Sequence, residues 1–175
     1  MRRVRCFYED DPGEQVRNFG PHALALETLA DRSGIDRWTL QARVEGIPKK
    51  GLTKVLKAVS LEEPHPHLAV LALLDEDRVR TGLGLDAASP PAAVVSALST
   101  RALGVVFVLL IKNIEDLVLA AARATGVEPP TGKPGPRVRD RVLNNAASAG
   151  PAVRAQVATA LPSWNDWLKA VEAAL

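Results

Sequence analysis

Two stretches of the chain stay apolar for the length of a strand and no longer. They are residues 68–74 (LAVLALL) and 105–111 (VVFVLLI). A run of that length with no polar side reads as a strand covered on both faces, the habit of parallel sheets. Residues 3–8 form a shorter β-rich segment, and residues 38–44 (WTLQARV) alternate apolar and polar like a further strand. Between these segments the period changes. Leu24, Leu26, Leu29 and Ala30 fit a helical stripe that starts at Pro21 and stops at Gly34. Glu45-Gly46-Ile47-Pro48 reads as a turn, and Leu52, Val55, Leu56 and Val59 have helical spacing. Residues 78–91, with Gly82, Gly84, Pro90 and Pro91, read as a loop before a short helix at 91–98. Asn113 is placed to cap a helix carrying Ile114, Leu117, Val118, Ala121 and Ala122. Regular alternation of strand and helix predicts an α/β fold: a four-stranded, Rossmann-like parallel sheet flanked by helices, with right-handed crossovers.

The loop EPPTGKPGPR marks a change after residue 128. Beyond it the pattern is helical only, over about 137–149, 151–161 and 163–174, with Ser163 as the expected cap of the last helix. Trp164, Trp167, Leu168, Val171 and Leu175 share one face of that helix and read as core. The expected organisation is an α/β domain over 1–128 and a helical extension over 129–175 packed on it as one compact unit.

Composition narrows the setting. A length of 175 residues suffices for one domain with its own core. A net charge of +2 leaves nucleic acid open as a partner, because binding surfaces are local. A single cysteine, Cys6, excludes an internal disulfide framework. No apolar leader follows Met1-Arg2-Arg3, and no run reaches membrane-spanning length, so a cytoplasmic protein is expected.

Acidic residues follow three of the strands. Glu9-Asp10-Asp11 comes after VRCFY, Asp75-Glu76-Asp77 after LAVLALL, and Glu115 shortly after VVFVLLI. In a parallel sheet these positions meet at the carboxyl edge, where α/β folds bind ligands. Residues i and i+2 leaving a strand point to the same side, so Asp75 and Asp77 can reach one ion. Mg²⁺ (or Mn²⁺) prefers oxygen ligands and is held by one or two carboxylates with waters and substrate phosphates. Glu9, on another strand, is a candidate third ligand or general acid/base. Such a set suits phosphodiester chemistry. The plainer reading is capping and solubility, and a Glu in the first turn of a helix, such as Glu115, is expected from the macrodipole alone.

A Glu after the first strand and an Asp-x-Asp after the third, on a small four-stranded parallel sheet, resemble the TOPRIM domain over about residues 3–125. The segment Asn113-Ile114-Glu115-Asp116-Leu117 and the closing Pro162-Ser163-Trp164 helix resemble the small stand-alone bacterial TOPRIM-like proteins. The resemblance implies Glu9 as general acid/base or ligand, Asp75 and Asp77 as Mg²⁺ ligands, and Glu115 as a further acidic site residue. It also implies a nuclease acting on DNA or RNA, with an ATPase partner in repair or phage defence. The motif departs from the family in having Asp10 where Gly usually follows the Glu. Val44-Glu45-Gly46 keeps Glu45 as a reserve for that position. A non-catalytic module of the same fold that works with a partner protein is the alternative. A third reading is the resemblance of Tyr8-Glu9-Asp10-Asp11-Pro12 to a receiver domain, with Asp75 as phosphoacceptor and Lys112 as the strand-end lysine. That reading needs one more strand between Asp75 and Lys112.

Cations are candidates for nucleic-acid contacts. Lys49 and Lys50 lie between Pro48 and Gly51 before a helix, a place suited to phosphate. Lys112 ends the last strand. Arg137 leads the row Arg137, Arg139, Arg141, whose odd spacing spreads it around a helix; a solvated face explains that row equally well. His65 and His67 read as loop residues rather than zinc ligands.

Overall fold

A computed structural model describes residues 2–11, 19–111 and 113–175. The element order is β1 (Arg3–Glu9), α1 (Gly20–Ser33), α2 (Arg37–Arg43), β2 (Val44–Lys49), α3 (Leu52–Val59), β3 (Leu68–Asp75), α4 (Glu76–Leu83), α5 (Pro91–Ser99), β4 (Val105–Leu110), α6 (Ile114–Thr125), α7 (Pro136–Ser148), α8 (Pro151–Ala160) and α9 (Pro162–Ala174). The four strands form one sheet in the order β2-β1-β3-β4, and every pairing is parallel. The α/β architecture expected from the alternation is therefore present.

Strand periodicity sorts side chains into two cores. Val4, Cys6 and Tyr8, with Ala69, Leu71 and Leu73, face α1, α6 and the three last helices. Phe7, Val70, Ala72 and Leu74, with Val105, Phe107 and Leu109, face α3, α4 and α5. Val142, Leu143, Val157, Trp164 and Trp167 share the first core with Leu24 and Leu117. Tyr8 meets Trp167 edge-on, with ring centroids 5.3 Å apart.

Three local expectations fail. Residues 38–44 are not a strand; α2 occupies them and β2 follows. Asp36 starts the helix by accepting hydrogen bonds from Thr39 N at 2.9 Å and Thr39 Oγ1 at 2.6 Å. The alternation misled because Trp38, its first apolar member, is largely exposed and only Leu40 is buried within α2. The expected turn at residues 45–48 is instead the body of β2. Gly46 belongs there because the His22 ring lies on it: a Cβ at that position would stand 2.4 Å from His22 Cγ. Pro48 is tolerated because β2 is an edge strand. Residues 78–91 are not all loop either. In α4, Val79 is fully buried and Arg80 pairs with Glu76 one turn back at 2.6 Å. Gly84 is the left-handed residue that ends this helix, with φ 66°.

Two capping expectations also change. Asn113 stands at the N-cap of α6 without a side-chain cap bond. Ser163 lies inside α9, where its Oγ accepts from Ile111 N at 3.1 Å, so it ties the helix to the end of β4 instead of capping it.

Candidate functional site

Glu9, Lys49 and Asp75 are the last residues of β1, β2 and β3. Parallel pairing sets all three on the carboxyl edge of the sheet. The two central strands thus deliver two carboxylates side by side, and both are buried. Glu9 Oε2 accepts a hydrogen bond from Asp75 N at 3.3 Å. Arg78, in the first turn of α4, reaches back to both. Its Nη1 is 3.4 Å from Glu9 Oε1, and its Nε is 3.7 Å from Asp75 Oδ2. The second contact is too long for a hydrogen bond. Asp75 Oδ2 is buried and makes none.

Burial dominates the electrostatics. It pushes the Asp75 carboxyl up to about 8, helped by the neighbouring Glu9 charge and opposed by Arg78. Burial also raises Glu9 above the usual carboxylate range, against the pull of Arg78 and the Asp75 amide. Two carboxyls that disfavour joint ionisation sit at the edge where a ligand would bind.

A second acidic group lies beside the first. Arg139, from α7, is buried and donates from Nη2 to Asp10 Oδ1 at 2.6 Å and to the Asp11 carbonyl at 3.3 Å. Burial pushes Asp10 up to about 6, with Arg139 pulling the other way. Glu115 Oε1 is buried without a hydrogen bond, 3.9 Å from Lys133 Nζ and 4.0 Å from Arg139 Nη1. Lys50 Nζ pairs with Asp11 Oδ2 at 2.9 Å. Glu9, Asp10, Asp11, Lys50, Arg78 and Arg139 line a cavity of about 350 Å³.

The expected site residues separate accordingly. Glu9 and Asp75 come together, and the charges of Asp77 and, less, Glu115 also act on Asp75. Asp77 is exposed, and its Oδ1 accepts from the Arg78 amide at 2.7 Å. Among the described residues, no group of three or more His, Cys, Asp or Glu side chains is arranged around a metal position. The pair still suits a divalent cation: two buried carboxylates, one with an unpartnered oxygen, are the hard-oxygen set that Mg²⁺ takes, with waters and substrate filling the remaining positions. Glu45 is near the start of β2, away from this edge, where it pairs with Arg5 at 2.9 Å. Lys50 reaches the site, and Lys49 lies at its edge beside Glu9 in the strand register. Arg137 is exposed in the first turn of α7. Lys112 lies outside the described residues. His65 and His67 are exposed at the opposite end, as expected. The receiver reading loses its extra strand, because α4 and α5 occupy residues 76–83 and 91–99.

Sequence reasoning missed Arg78, and it offered Arg139 only within the row that could follow a nucleic-acid backbone, not as the partner of Asp10. Arg78 carries a usable signal, standing three residues after the strand-end Asp75 on a helix. Arg139 carries none, since it reaches Asp10 across 129 positions of sequence.

No family model and no curated protein matches the sequence. The C-terminal region of the Xanthomonas campestris pv. campestris OLD protein is similar over nearly the whole chain. In its structure phased with iodine the identity is 15%, the match covers 98% of each chain, and the TM-score is 0.43. In its structure phased with platinum the identity is 13%, covering 98% of this chain and 96% of that one, with a TM-score of 0.38. Likeness at this level assigns no role to any residue here. Among the described residues, no helix is long and apolar enough to cross a membrane.

Proposed function

We propose that this chain is a metal-dependent phosphodiesterase domain of the TOPRIM type, acting on DNA or RNA and working beside a partner ATPase. The observation that carries the reading is the buried Glu9–Asp75 pair at the carboxyl edge of the two central strands, with Asp75 Oδ2 left unpartnered. Glu9 and Asp75 would hold the ion, and Asp77 would join only after giving up its contact with the Arg78 amide. A bound Mg²⁺ or Mn²⁺ would neutralise charge on the phosphoryl group and lower the pKa of a water. The chain's own part is to bury the pair and to set Lys50, Lys133 and Arg139 around the neighbouring cavity, where a phosphate backbone would lie.

The test is cleavage of single- and double-stranded DNA and RNA at millimolar Mg²⁺ or Mn²⁺. Wild type should cleave at least one of them. Glu9→Gln and Asp75→Asn should each lower the rate about a hundredfold or more while the fold survives. Full-rate cleavage by purified Asp75→Asn protein would place the activity elsewhere.

One observation favours a second reading, a non-catalytic binding module. Arg78 already supplies the acidic pair with a counter-charge, so the fold needs no metal to tolerate it. Absence of both cleavage and Mn²⁺ binding in the wild type would select this reading.

A further inference from the structure

Arg78 holds its partners loosely. A committed charge-assisted pair has N···O distances of about 2.7–2.9 Å. Arg139–Asp10 and Arg80–Glu76 in this protein both close to 2.6 Å. Arg78 stays at 3.4 Å from Glu9 and 3.7 Å from Asp75. Its side chain is 41% exposed, whereas those carboxylates are 1% and 4% exposed. Two buried carboxyl groups are therefore served by one cation that enters from the solvent side on a flexible stem. The same side chain lines the 350 Å³ cavity with Lys50, Lys133 and Arg139.

We infer that Arg78 is a resident counter-cation of the Glu9–Asp75 pair, yielding its place to a divalent ion and passing to a substrate phosphate in the adjoining cavity. The inference rests on the metal-dependent reading above. A guanidinium and a divalent ion on the same two carboxylates repel each other, so they compete. A phosphate in the cavity offers the displaced guanidinium a bidentate partner of the kind arginine prefers. Arg78 thus weakens the empty site's hold on metal and strengthens the loaded site's hold on substrate.

That exchange has a signature of opposite signs. Mn²⁺ binding to the full chain is followed by the loss of the free-ion resonance in electron paramagnetic resonance. Affinity for a phosphorothioate-linked oligonucleotide, which resists hydrolysis, is followed by fluorescence anisotropy at saturating Mn²⁺. Arg78→Gln should bind Mn²⁺ about tenfold more tightly than wild type, in line with the effect of removing one nearby charge. It should bind the oligonucleotide about tenfold more weakly. Equal Mn²⁺ affinity in wild type and Arg78→Gln would overturn the exchange and leave the metal reading standing. Tighter Mn²⁺ with unchanged oligonucleotide binding would overturn the passage to phosphate. No Mn²⁺ binding by either folded protein would overturn the metal reading and the exchange with it. Should Arg78→Gln fail to fold, Arg78→Lys keeps the charge without the fork that spans both carboxylates. It should show the same opposite shifts at smaller size, and no shift in either would overturn the proposal.

Discussion

The two ends of the sheet both gather charge and treat it in opposite ways. At the amino end, Arg5 pairs with Glu45 and Glu62 at 2.9 and 2.6 Å, with side chains 40%, 60% and 16% exposed. These groups border the larger cavity, about 960 Å³, which also takes in His65 and His67. At the carboxyl end, Glu9, Asp10 and Arg139 are buried around a cavity little more than a third of that volume, and Asp75 is buried beside Glu9. A solvated ion pair contributes about 0–1 kcal/mol and is cheap to keep. Buried charge costs several kcal/mol per ion before pairing offsets it. Desolvated charge without full pairing therefore distinguishes the end holding the candidate site, where cavity volume would have pointed to the other.

Removing one arginine from each end should break this contrast most visibly. Arg139→Ala leaves Asp10 buried without its partner and should cost about 3–5 kcal/mol in denaturant unfolding at pH 7. Arg5→Ala should cost about 1 kcal/mol or less. Similar losses at the two ends would mean that the carboxyl end is no more desolvated than the amino end.

The next effect is a slope with pH. Asp75 titrates at about 8 in the fold, above its ordinary 3.8, so the native state binds the extra proton between those values. Stability from this group is complete below about pH 4 and is lost as pH rises toward 8. Metal-free wild type should therefore lose about 3 kcal/mol more than Asp75→Asn between pH 5 and pH 8. Asp10 shifts in the same direction and persists in both proteins, so the difference reports Asp75 together with its coupling to Glu9. Parallel pH profiles for the two proteins would show an Asp75 carboxylate at ease in the fold. The smallest effect belongs to the amino end. Glu45→Gln should change stability by about 0.5 kcal/mol or less and leave Mn²⁺ affinity untouched. A loss of metal binding there would return Glu45 to the site.

The sheet was legible because residues 68–74 and 105–111 are apolar at every position; β3 is indeed buried beyond its first residue, whereas β4, at the sheet edge, leaves Val106 and the following Ile111 about half exposed. The edge strand β2 was not. Its sequence holds Glu45, Gly46 and Pro48, residues that turns favour, and what makes them a strand is pairing with β1 and the His22 ring lying on Gly46. Neither is local. At the site, Glu9 and Asp75 were readable from their place after strands. Asp77 was expected beside them by spacing, but α4 begins at Glu76, so the chain has left the extended geometry that would keep i and i+2 together. Lys50 was readable from its loop, but Arg78 and Arg139 come from α4 and α7, and which face of a helix meets a distant acid is decided by packing.

The close approach of His22 to Gly46 also constrains how this sequence can diverge. Tyr8 meets the same imidazole, its hydroxyl 3.2 Å from Nδ1, and burial drives that ring's pKa down to about 3. Positions 22 and 46 are thus not free to vary independently. A homologue carrying any side chain at 46 should carry a smaller residue at 22, and one keeping the histidine should keep the glycine. Aligned relatives ought to show this as a correlated pair of columns, one in a helix and one in an edge strand, separated by 24 positions of sequence.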